Sequence, residues 1–92
     1  MSTSQNRLKG KTSSGFFYDI PKSRFDDYEF AKLVAKAQEE EIYGFLVVEK
    51  LLGKDGEQRL LETVRKEDGS VPVEAVMEQL TEIFNSATEL KN

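Results

Sequence analysis

The stretch EDGSVPVEAVMEQLTEIF, from Glu67 to Phe84, constrains the fold more than any other part of the chain. Val73, Val76, Met77, Leu80, Ile83, Phe84 and Ala87 recur at i, i+3, i+4, i+7, i+10, i+11 and i+14, the spacing of one helix face. Gly69 and Ser70 supply a turn before it, Pro72 falls in the first helical turn where its missing N–H does no harm, and Glu74 complements the helix dipole. A helix from Val71 onward is therefore predicted, and its stripe must be covered. Either it is the core-facing side of the helix, or its far end at Ile83 and Phe84 extends past what shorter helices cover and forms an interaction groove.

A chain of 92 residues, 38% hydrophobic and 33% charged, suits one small globular domain. Burying a large apolar side chain is worth roughly 1.5–3 kcal/mol, against about 1–2 kcal/mol to fix each residue's backbone. So short a chain folds with little to spare, and self-association would help it. The chain has neither Cys nor His, which removes disulfides, thiolate metal sites, the usual general base and the commonest metal ligand. The longest apolar run is Phe45 to Val48, and the polar start MSTSQNRLKG lacks the apolar core of a signal peptide. A reducing cytoplasm is the expected compartment.

The formal net charge of −4 is unevenly spread. Residues 1–24 hold Arg7, Lys9, Lys11, Lys22 and Arg24 against Asp19, a net of +4, which leaves −8 for residues 25–92. That polarity discourages nucleic-acid binding by the helical part and favours head-to-tail contact between copies; solvated faces of both signs are the plainer reading.

Residues 1–12 read as a basic N-terminal arm, or from Arg7 as the first strand of a hairpin reaching Ile20. Ser13-Ser14-Gly15 offers the turn, and Phe16, Phe17, Tyr18 and Ile20 suit a strand ended by Pro21. Residues 13–92 form the expected single domain. A first helix is predicted from about Phe25 to Gln38, with Asp26, Asp27 and Glu29 at its start and Phe30, Leu33, Val34 and Ala37 as its stripe. Glu39-Glu40-Glu41 reads as a solvated junction or helix start rather than a metal site, because adjacent carboxylates do not converge unaided.

IYGFLVVEKLLG is ambiguous between strand and helix, and the helix is preferred: Phe45, Val48, Leu51 and Leu52 follow its spacing, with Lys50 in the last turn and Gly53 as the cap. Gly44 marks a helix start or close backbone packing. A third, mostly exposed helix carries Leu60, Leu61 and Val64 and stops at Asp68-Gly69. The expected class is mostly α, a bundle of about four helices with a short N-terminal β-hairpin or extended arm.

Catalytic motifs are missing. Gly53-Lys54 lacks the upstream Gly and following Ser or Thr of a phosphate-binding loop, with Val48 and Asp55 in those places. KDGE and EDGS lack calcium-loop spacing and read as turns. The pairs Asp26/Glu29 and Glu78/Glu82 share helix faces, yet nothing beside them suggests the desolvation a general acid needs. No enzyme and no cofactor are expected.

The words FFYDIP, DDYEFAKLVAKA and VVEKLLGKDGEQRLLETVRKEDGSVPVEAVMEQLTEIFNSATELKN resemble the tail assembly chaperones of long-tailed bacteriophages and prophages of Gram-positive hosts. The likeness covers about residues 16–92 and is most specific at Leu51–Gly53, at Glu67–Pro72 and in EIFNSATELKN. It implies a mostly helical, non-enzymatic protein that self-associates into rings or spirals in the host cytoplasm. Such proteins coat the tape-measure protein while tail-tube subunits assemble and are absent from the finished virion. It also implies a longer form made by ribosomal frameshifting, whose extension recruits the tail-tube protein; the ELKN terminus is where such a slip would fall.

A domain with apolar stripes that repeats in an array presents many weak contacts to a helical client. Phe45, Val48, Leu52, Ile83 and Phe84 are the expected partly exposed contact residues. Phe16 and Phe17 have two readings, both buried in an irregular hairpin, or one turned outward onto the next copy as strand alternation allows. The alternative function is a small acidic regulatory or adaptor protein of phage origin that uses the last helix to block a host or phage protein. A nucleic-acid binder using the basic arm and a virion structural protein are further rivals.

Overall fold

The structure, a computed structural model, describes residues 6–91. The first five residues of the expected arm and Asn92 lie outside the described residues. A two-stranded antiparallel hairpin, β1 (Arg7–Lys11) and β2 (Phe17–Pro21), precedes three helices, α1 (Tyr28–Glu39), α2 (Gly44–Val64) and α3 (Val73–Lys91). Residues 7–11, open to an arm or a strand from sequence, are strand: Leu8 pairs with Ile20 and Gly10 with Tyr18.

Strand alternation divides the hairpin into two faces. Leu8, Tyr18 and Ile20 point into the core, while Arg7, Lys9, Lys11, Phe17 and Asp19 point out. Tyr18 lies across Gly10, where a Cβ would fall 2.6 Å from the ring's Cζ, so a side chain there would displace the tyrosine. The connecting loop is closed by Thr12 N–H donating to the Phe16 carbonyl at 2.9 Å, and Phe16 N–H donating to Thr12 Oγ1 at 3.2 Å.

Pro21 ends β2 and leads into a single 3-10 turn at Lys22–Arg24. Helix α1 starts later than the acidic run suggests, at Tyr28, because Asp27 is its N-cap: the carboxylate accepts from Phe30 N–H at 2.9 Å. Glu39, Glu40 and Glu41 are, as expected, a solvated junction, running from the last residue of α1 into a 3-10 turn at Glu41–Tyr43.

Three helical elements stand where four were expected, because the expected second and third abut without a loop: α2 is two helical segments divided at Gly53, which is non-helical with φ 76° and ψ 170°. The positive φ expected of a glycine cap is present. Its ψ, however, is extended rather than left-handed helical, which lets Lys54 re-enter helix without a loop. The carbonyls of Lys50 and Leu51, just before the break, accept hydrogen bonds from the Arg24 guanidinium.

Pro72 precedes the first residue of α3, and its carbonyl accepts from Val76 N–H at 3.2 Å. The core joins Leu8, Phe16, Tyr18 and Ile20 of the hairpin side to Phe30 of α1, Val47, Val48, Leu51 and Leu60 of α2, and Val76, Leu80 and Ile83 of α3. Val73, the first residue of the expected stripe, is exposed. Gln79 is buried instead, donating from Nε2 to Ser14 Oγ at 3.1 Å.

Candidate interaction surface

The residues expected to make contacts divide three ways. Phe16, Val48 and Ile83 are buried core, which corrects their assignment to a surface: each fills the space between elements and offers nothing to a partner. Leu52 and Phe84 are half-buried. Phe17 and Phe45 are exposed, at 64% and 48%. Of the two readings for the aromatic pair, strand alternation wins, with Phe16 inward and Phe17 outward.

Phe84 closes an aromatic triad with Phe25 and Phe30. Its ring centroid lies 6.0 Å from both, edge-on to Phe25 and stacked on Phe30. Such pairs contribute about 0.5–1.5 kcal/mol beyond burial. An open cleft of about 240 Å³ borders the triad, lined also by Ala31, Val34, Ala87 and Thr88. Phe84 is thus first a strut between α1 and α3.

Two exposed regions remain. At the start of α2, Ile42 and Leu46 are 65% and 47% exposed beside Phe45. The three stand at i, i+3 and i+4 and form an apolar face directly after the exposed carboxylates of Glu39, Glu40 and Glu41. Ile42 and Leu46 were missed from sequence because Val47 and Val48 follow at once, and a run apolar on all sides does not tell which side is covered.

The second region is the outer face of the hairpin. Lys11 Nζ lies 5.1 Å from the Phe17 ring centroid, and Arg59 reaches from α2 to donate to the Phe17 carbonyl at 3.2 Å. The Arg59 guanidinium also covers the Phe16 ring at 5.1 Å. An open cleft of about 530 Å³ lies here, lined by Lys9, Gly10, Lys11, Phe17, Tyr18, Asp19 and Arg59. Arg7 is paired with Asp19 at 2.6 Å.

The perturbed ionisable groups are structural. Hydrogen bonds from the Ser13 hydroxyl and then from its N–H hold the Glu82 carboxyl below its ordinary value, at 2.5 and 2.8 Å, and tie the hairpin loop to α3. Ser70 lowers Asp68 in the same way, by its hydroxyl and its N–H. The Arg65 guanidinium lowers Glu62, chiefly by hydrogen bonding. These groups cap turns; they do not face one another across a cleft.

Among the described residues, no group of three or more carboxylates is placed to hold a metal ion. No described helix is long and apolar enough to cross a membrane. No family model, curated protein or solved structure matches the chain. The arrangement offers exposed apolar side chains with charged rims at two places.

Proposed function

We propose that this protein is a tail assembly chaperone of a long-tailed bacteriophage or prophage, which self-associates and holds the tape-measure protein soluble while the tail is built. One observation carries the reading beyond the resemblance of residues 16–92. Ile42, Phe45 and Leu46 are exposed together at i, i+3 and i+4, a grouped apolar face rather than scattered single residues, and Phe17 is exposed on the hairpin. Weak apolar contacts repeated along an array suit a long amphipathic client, and the net charge of −4 keeps the array in solution. The protein acts in the host cytoplasm, and a frameshift-extended form brings in the tail-tube protein.

Co-expression with the tape-measure protein encoded at its own locus tests the reading. The expected result is a large soluble complex, measured by pull-down and light scattering, that forms when both chains are present. A client that stays insoluble with this chain and with its frameshift-extended form overturns it. A monomer that captures a different phage or host protein would favour the adaptor reading.

A further inference from the structure

We infer that the outer face of the hairpin docks, head to tail, on the exposed start of α2 in a second copy of this chain. The two surfaces are opposite in charge and alike in carrying uncovered apolar groups. On the hairpin side, Phe17 is exposed between Lys9, Lys11 and Arg59. On the helix side, Ile42, Phe45 and Leu46 are exposed beside Glu39, Glu40 and Glu41. Among the described residues, none of these six charged groups is in a salt bridge, whereas Arg7, Asp19, Glu62 and Arg65 near the hairpin are already paired.

Within one molecule, no ion pair joins the two groups among the described residues. Phe45 and Arg59 lie on the two sides of the Gly53 break, in separate helical segments of α2. A contact between two different surfaces of identical chains is heterologous: each copy leaves one of each kind unused, and the contact repeats into a ring or a filament. The cleft between the hairpin face and Arg59, about 530 Å³, receives an apolar side chain of the next copy, and Phe45 is the largest on the helix face. The lysine and glutamate rims set direction and register.

The inference deepens the self-association in the chaperone reading. Its test uses this chain alone, so loss of head-to-tail pairing is read separately from loss of client binding. Two charge-reversed proteins are made, Lys9→Glu with Lys11→Glu, and Glu40→Lys with Glu41→Lys. All four positions are exposed, and far-UV circular dichroism checks the fold. By sedimentation velocity, the wild type self-associates more strongly at low salt. Each reversed protein alone associates at least about tenfold more weakly. Mixed in equal amounts they regain mass, because the reversed hairpin meets the reversed helix start.

Wild-type mass in either reversed protein, or no regain on mixing, overturns the inference. So does a wild type that is monomeric, or a mass that collapses on nuclease treatment, which would assign the basic face to nucleic acid. Should a reversed protein fail to fold, Phe17→Ser and Phe45→Ser decide: each must lower the mass while keeping the fold, and wild-type mass in either overturns the docking.

Discussion

The guanidinium of Arg24 donates to the carbonyl of Leu51, across 27 residues of chain, and also to that of Lys50 at 3.2 Å. Both carbonyls belong to the last turn before Gly53, where a continuous helix would have bonded them internally. A cation at a helix C-terminus is favoured by the dipole as well as by the hydrogen bonds. Arg24→Ala is expected to cost about 1–3 kcal/mol, read as a lower urea midpoint at unchanged slope. Arg24→Lys recovers part of that, since an ammonium lacks the planar fork that reaches two carbonyls.

Gly53 holds a backbone region that other residues rarely enter, at φ 76° and ψ 170°. Nothing lies within 4 Å of where its Cβ would stand, so a substitution there acts through the backbone. Gly53→Ala should destabilise by about 1–3 kcal/mol. Thermal unfolding measures it; a neutral result would mean that the break relaxes into regular helix.

Ile83 and Phe45 should respond in opposite ways. Ile83 is fully buried, so Ile83→Ala is expected to cost about 2–5 kcal/mol in urea unfolding. Phe45→Ser should leave the unfolding free energy within about 0.5 kcal/mol of wild type, as for other surface changes. If Phe45→Ser unfolds the domain, the start of α2 is core and not a contact surface.

Glu82 ties the hairpin loop to α3 through Ser13, and its carboxyl is lowered from 4.5 by those hydrogen bonds. A carboxyl lowered by folding contributes stability that is present above its ordinary value and is lost as pH falls through the lowered one. Wild type should therefore exceed Glu82→Gln in stability at neutral pH, with the gap closing below pH 4.5. Urea midpoints of both proteins along an acid series measure it, and a gap that persists at the acid end would assign the effect to packing.

The strand from Phe17 to Ile20 and the stripe from Val76 to Ala87 were legible because strand-forming side chains ended by a proline, and a covered helix face with its period of 3.6, both leave local marks. The start of α2 was not. Phe45, Leu46, Val47 and Val48 point to nearly all sides of a helix, so spacing showed a helix but not its covered side, and Phe45, Val48 and Leu52 were all expected to be partly exposed. The fold buries Gly44, Val47, Val48 and Leu51 instead, with Met77 packed 3.5 Å from where a Gly44 Cβ would stand. A glycine under a methionine leaves no apolar signal in sequence. Gln79 was equally silent, since its burial depends on a serine 65 residues away.

The sequence by itself determined the second strand with its turn, the helical content, the junction at Glu39–Glu41 and the positive φ of Gly53, because each follows from residues a few positions apart. Tertiary structure alone decided that the two segments of α2 abut at Gly53 with Arg24 on the freed carbonyls, and which aromatics face out. Those outcomes rest on contacts between residues far apart in the chain, where a side chain's direction is set by what the other elements leave uncovered.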